Sequence, residues 1–392
     1  LRQLPRLLAL AALALAAGCG NGEDGKPAGG GAATAPSAGG GGGGGGATLR
    51  IGVAGPITGD QAKNGEDLVQ GTTLAIDDAN GRGGVLGKMV EMVVRDDEHL
   101  PAKAKTVALQ LIAEKVVGIV GHFNSSCTDP ATEEYAKRGI VTITPASTNP
   151  HITDRGYETV FRTCGRDDQQ GAIQAEFAAG EMKWKKIFVL DNKTQYGAGL
   201  ADYFCKNAEK MGVKVVRDAF AETETNFEPY INKIKSENPD AWYFGGIYSQ
   251  LVPMLRQARE RGVKQPLLSG DGVFYQKEVV EAAAGAAEGC FVSFPAQPSA
   301  EFLKKYKAKF GADRDPGPYA LYAYDAATIL LGGIQKAGTT EGKAVAAAIR
   351  GQAWDVSSGK IEFDAKGDLK SGGYLIWEVM NNKFQFRWKR PQ

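Results

Sequence analysis

The sequence has little that would make it an enzyme of a familiar kind. It carries three histidines, His99, His122 and His151, and none stands in a recognisable pattern with an acid or a nucleophile. No GxSxG, no HExxH and no GxGxxG between a strand and a helix occurs, so the nucleophile elbow, the zinc-protease helix and the dinucleotide turn are excluded. Catalysis, cofactor and metal are therefore not expected, and His122, at a strand exit, reads as structural or as support for a site. Charge of one sign is missing too. The formal net charge is +1 with no basic stripe, which excludes nucleic acid as a partner. Cysteine is sparse: beyond Cys19, the four at 127, 164, 205 and 290 match no zinc spacing, and disulfides and buried free thiols both remain open. After the first residues no apolar run reaches the length of about 20 that crosses a bilayer.

What is present begins with two arginines and an apolar stretch from Leu7 to Ala17, followed by Gly18 and Cys19. That stretch is too short to span a membrane and suits the core of an export signal. Small residues before a cysteine resemble the lipobox of bacterial lipoproteins, which implies that residues 1–19 are a signal and that Cys19 is lipidated. One departure is Ala16 at the position where Leu is usual, with Leu15 one place earlier. Residues 20–47 are dominated by Gly, Ala, Pro and Ser, with unbroken glycine from Gly39 to Gly46. Such a chain cannot bury enough apolar surface to fold, and its reach is on the order of 30 Å. It reads as a tether behind a membrane anchor.

From Thr48 onward, strand-length apolar runs alternate with stretches of helical period, the pattern of an α/β protein with parallel sheets. TLRIGVAG, KMVEMVVRD, VVGIVGH and IVTITPA read as strands, with helices at Glu66–Asn80, Pro101–Lys115 and within DPATEEYAKRG, where Pro130 marks the start and Gly139 the stop. KKIFVLDN, AWYFGGI, PLLSG and GCFVSFP repeat the rhythm around helices near Tyr196–Met211, Phe227–Glu237 and Ser249–Arg261, and a strongly apolar helix follows at Tyr319–Lys336. This length exceeds what one core usually holds. Two lobes are expected, with crossovers at Cys164–Asp167, Phe294–Pro298 and near Gly372.

In open α/β sheets ligands bind beyond the carboxyl ends of the strands. Asn124, Ser125 and Ser126 follow the third strand, with Thr128 and Pro130 opening a helix, and Ala146, Ser147 and Thr148 follow the fourth. These neutral donors and a helix N-terminus suit a carboxylate, although Ser and Thr also cap helices routinely. In SGDGV, Asp271 stands between two glycines that would let a ligand approach. One acid facing a set of hydroxyls across a cleft suits a zwitterion; an ordinary Asp-Gly turn is the other reading. Asp96 and Asp97 read as exposed turn carboxylates.

The segment VGHFNSSCTDPATEEYAKRGIVTITPASTNPHITDRG, together with DNKTQYGAGLA, YFGGIYSQLVPMLRQAR and DAKGDLKSG, resembles the leucine/isoleucine/valine-binding proteins, the type I periplasmic solute receptors of ABC importers. The resemblance implies two Rossmann-like lobes joined by a three-strand hinge: 48–165 plus 297–372 as lobe 1, and 166–296 plus 373–392 as lobe 2. It implies that Ser125, Ala146 and Thr148 take the carboxylate of an amino acid, with Ser147 among them, that Asp271 pairs with the ammonium group, and that Tyr196 and Tyr319 line the pocket. Asn64 and Ile247 stand where well-known members carry pocket tyrosines, and Tyr248 is shifted one place. The cysteines of a disulfide seen in some members are replaced by His99 and Asn124. The implied function is capture of a branched-chain or other neutral α-amino acid outside the bacterial membrane and delivery to ABC-transporter permease subunits, from a lipid anchor. A ligand-sensing subunit of the same fold, for an amide or another small polar solute, is the alternative.

Overall fold

The computed structural model describes residues 48–295, 298–371 and 373–391. The signal, Cys19, the glycine tether, and the crossover positions 296, 297 and 372 lie outside the described residues. Ile51, Val53, Ile119, Val120, Val141 and Ile143 are all fully buried, as strands covered on both faces require. They belong to a parallel sheet of β1 (Leu49–Gly55), β2 (Val90–Asp96), β3 (Gly118–Gly121), β4 (Val141–Thr144) and β5 (Val160–Arg162), in the order β2-β1-β3-β4-β5. The connections run through α1 (Ala62–Gly81), α2 (Pro101–Ala113), α3 (Ser125–Lys137) and the short α4 (His151–Asp154). After α5 (Asp167–Glu176) the order recurs with β6 (Lys186–Asp191), α6 (Gln195–Lys210), β7 (Lys214–Ala219), α7 (Glu228–Glu237), β8 (Ala241–Gly245), α8 (Tyr248–Glu260), β9 (Leu267–Ser269) and β10 (Phe291–Phe294). Both sheets therefore reverse strand order beside their first strand, and each forms a crevice there.

Helices α9 (Ala300–Phe310), α10 (Ala320–Ala337) and α11 (Gly342–Arg350) follow, then a small hairpin of β11 (Trp354–Val356) and β12 (Gly359–Ile361). Helix α10 packs on the first sheet and on α1. Glycine permits the approach: a Cβ on Gly118 would lie 2.8 Å from Leu330, and one on Gly71 would lie 2.2 Å from the Ala320 carbonyl oxygen and 2.8 Å from Ala323 Cβ. Gly71→Ala gains about 1 kcal/mol in helix propensity but forces the two backbones apart, which costs about 1–3 kcal/mol. A lowered urea midpoint is the expected result; a raised one would show that α1 can shift freely.

The chain closes with β13 (Leu375–Met380) and β14 (Lys383–Trp388), which pair antiparallel against β10 and complete a seven-stranded mixed sheet, β14-β13-β10-β9-β8-β6-β7. This pair, β5 and the edge strand β7 are additions to the reading of the sequence. Their residues are short-run or mostly half-exposed and lack a continuous apolar signal. A second difference is the start of α3. It begins at Ser125, because the Asn124 carbonyl already accepts from the amides of Cys127 and Thr128 at 3.0 and 2.9 Å. Pro130 thus sits inside the helix, and the N-cap position is Asn124, without a side-chain cap bond. Cys127, Cys164, Cys205 and Cys290 are buried free thiols.

Candidate functional site

Beyond the carboxyl ends of both sheets lies a cleft lined by residues of both, among them Ser125, Ala146, Tyr196 and Asp271, where an α/β sheet places its ligand. One pole is acidic. Asp271, buried directly after β9, begins a single helical turn, Asp271–Val273. Its Oδ1 accepts from the Tyr196 hydroxyl at 2.9 Å and its Oδ2 from the Tyr319 hydroxyl at 2.7 Å. Burial raises the Asp271 carboxyl above the ordinary range, and hydrogen bonds from Tyr319, Gln170 and Tyr196 oppose that rise. A carboxylate held this way stays costly until a cation reaches it. The flanking glycines have a different role from the one expected. A Cβ on Gly270 would meet the Tyr196 oxygen at 2.6 Å and Leu200 at 2.4 Å, so what glycine admits is the tyrosine.

The other pole is made of neutral donors. Ser125 and Ser126 occupy the first turn of α3, whose leading N–H groups have no acceptor within the helix, and Ala146 follows β4; all three border the cleft. Phe123 packs edge-on against Tyr319, with ring centroids 4.7 Å apart, and joins the two poles through an apolar floor. Ile247, at the start of α8, borders the cleft as well.

Three residues proposed from the sequence stand one layer back. Ser147 shares a 2.5 Å contact with the Thr128 hydroxyl and donates to the Phe123 carbonyl at 2.8 Å, which ties the exits of β3 and β4 together. Thr148 is fully buried, and its carbonyl accepts from the Asp167 amide at 3.0 Å at the start of α5. Asn64, on α1, accepts from the Tyr275 hydroxyl, and the Tyr275 ring lies 6.1 Å from that of Tyr319. Thr128 is committed to Ser147 and does not cap α3.

His122 does have an acid partner. Its Nδ1 lies 2.6 Å from Asp97 Oδ2 and its Nε2 3.1 Å from the Tyr135 hydroxyl, with all of these groups buried. Asp97 is thus a buried support for the end of β3 rather than an exposed turn carboxylate. The pair was invisible in the sequence because 25 residues separate its members.

Residues 48–383 match the model of the periplasmic binding protein family. The chain belongs to that family. A leucine-, isoleucine-, valine-, threonine- and alanine-binding protein of Pseudomonas aeruginosa is 36% identical over 338 residues, 84% of this chain and 90% of the relative. Among solved structures, a leucine-binding protein of Thermotoga maritima is 29% identical with a TM-score of 0.81, covering 87% of this chain and 98% of that one. A branched-chain amino acid transporter substrate-binding protein of Streptococcus pneumoniae, in complex with isoleucine, is 27% identical with a TM-score of 0.78, covering 86% and 98%. The two sheets are accordingly the two lobes of a type I periplasmic binding protein. Among the described residues no helix is long and apolar enough to cross a membrane.

This periplasmic binding protein also lines its cleft with residues that the sequence did not single out: Asn192 and Thr194 beyond β6, and Glu222 beyond β7. Asn192 and Thr194 were findable, since they follow a legible strand in DNKT. Glu222 was not, because β7 itself carries no clear apolar run.

Proposed function

We propose that this periplasmic binding protein captures an α-amino acid between its lobes and delivers it to the permease subunits of an ABC importer. The observation that carries the reading is the two-pole cleft: the Asp271 carboxylate, braced by Tyr196 and Tyr319, faces the first turn of α3 and Ala146. An ammonium group suits the first pole and a carboxylate the second, with Ser125 and Ala146 as its holders and Thr148 one layer behind them. The relatives named for leucine, isoleucine, valine, threonine and alanine, for leucine, and for branched-chain amino acids support the same substrate class. Residues 48–165 plus 297–372 form lobe 1 and 166–296 plus 373–392 lobe 2 in this proposal, so the ligand bridges them. Only a ligand that binds the closed form better than the open one can drive closure. Lipidation of Cys19 and the glycine tether would hold the receptor at the outer side of the membrane.

A thermal-shift screen tests this. A ligand that binds only the folded state stabilises it by about 2.7 kcal/mol at a hundredfold excess over its Kd, so at least one α-amino acid should raise the Tm by several degrees. A shift with organic acids, simple amides or sugars and with no α-amino acid would defeat the proposal.

A further inference from the structure

The part of the cleft away from Asp271 is poorly suited to an aliphatic side chain. Asn124 borders it, and its Nδ2 donates to Gln61 Oε1 at 2.8 Å. That bond orients the amide and, among the described residues, leaves Asn124 Oδ1 buried with no partner. Glu222 borders the same cleft from the other lobe. Its main-chain carbonyl accepts from Gln250 Nε2 at 2.8 Å, but among the described residues its carboxylate makes no ion pair and no hydrogen bond. Burial raises the Glu222 carboxyl above its usual range; Asp60 adds to the rise and His99 opposes it. The neighbouring polar groups are already matched: the Thr194 hydroxyl donates to Asn192 Oδ1 at 2.7 Å, and Asn192 Nδ2 donates to Gln250 Oε1 at 2.8 Å. Two acceptors, one on each lobe, are left over.

An aliphatic side chain would leave Asn124 Oδ1 unmatched and strip water from the half-buried Glu222 carboxylate with nothing in return, a cost borne for each unmatched group. A donor would satisfy both and join the lobes at a second point besides Asp271. We infer that the amino acid taken by this cleft ends its side chain in a hydrogen-bond donor, an amide or cationic nitrogen, received by Asn124 Oδ1 and the Glu222 carboxylate. The inference rests on the zwitterion reading of the other half of the cleft. Glu222 and Asn124 are then specificity-determining residues, and Phe123 and Ile247 pack on the aliphatic stem.

The experiment is calorimetric titration of the mature protein with two near-isosteric pairs, asparagine with leucine and glutamine with methionine, and with lysine. A site built to hydrogen-bond a substrate group rejects the analogue lacking it. The tightest ligand of the set should therefore be one that carries a nitrogen donor, preferred over its aliphatic counterpart by about tenfold or more. Glu222→Leu and Asn124→Leu should each shrink that preference, and circular dichroism and thermal melts confirm that the variants are folded. Leucine or methionine binding as tightly as every donor-bearing ligand would overturn the inference and leave the zwitterion clamp standing. A preference untouched by both substitutions would also overturn it. If no α-amino acid bound at all, the zwitterion reading would fail, and this inference with it.

Discussion

Replacing Asp271 by Ala is expected to weaken amino-acid binding by about 2–5 kcal/mol, a rise in Kd of roughly thirtyfold to several thousandfold. The carboxylate is buried and its two oxygens are spoken for by Tyr196 and Tyr319. Those hydroxyls orient the acid without neutralising it, so in the proposed binding mode an arriving ammonium supplies the missing counter-charge. Without the acid the ammonium is desolvated beside two phenols, and the attraction that offset its desolvation is gone. Titration calorimetry on Asp271→Ala and Asp271→Asn measures the loss, and unchanged affinity would remove Asp271 from the site. The pH dependence follows with its sign. Burial raises the carboxyl in the free protein, and an ammonium lowers it again, so binding releases a proton and affinity falls as pH falls through the raised carboxyl range. In Asp271→Asn that acid-side loss should disappear.

Arg162→Met should cost about 3–5 kcal/mol of stability, the scale for breaking a buried ion pair from one side. Arg162 is fully buried on β5, with Nε 2.7 Å from Asp368 Oδ1. The same guanidinium donates to the carbonyls of Ser147 at 2.7 Å and Asn149 at 3.1 Å and to the Thr153 hydroxyl at 2.7 Å. It therefore holds the segment after β4 that includes Ala146 and Thr148. Removal takes this donor from two carbonyls and from the Asp368 carboxylate, which keeps the Thr153 hydroxyl at 2.9 Å and Arg166 at 2.6 Å. Urea denaturation should show a lower midpoint with little change in slope, and adding Asp368→Asn should restore part of the loss. A single-variant loss under about 1 kcal/mol would place Arg162 among ordinary substitutions.

The alternation of strands and helices was legible because each element is written in a local period: VVGIV and KIFVLD are continuous apolar runs, and α6 and α8 carry one apolar face. Asp271, Ser125 and Ala146 were legible for a related reason. They sit directly past such strands, where an α/β sheet puts its crevice. What failed was also local in cause. Pro130 suggested a helix start because proline suits a first turn, yet the Asn124 carbonyl had nucleated α3 five residues before Pro130 could begin it. The C-terminal pair β13–β14 was passed over because its register is set by β10, far away in the chain.

By itself the sequence determined the order of elements, the two-lobe division, the absence of known catalytic patterns and the few strand exits where polar groups collect. Those properties depend on near neighbours and on the reach of a single element. Only the tertiary structure decided what each polar group faces. Tyr196 and Tyr319 come to Asp271 from 75 and 48 residues away, Gly270 makes room for a tyrosine, and Ser147 is tied to Thr128 rather than turned to the cleft. Among the described residues it also left Asn124 Oδ1 and the Glu222 carboxylate unmatched. A side chain's partners are set by close packing of distant segments, and the energy of burying a polar group depends wholly on whether such a partner is there.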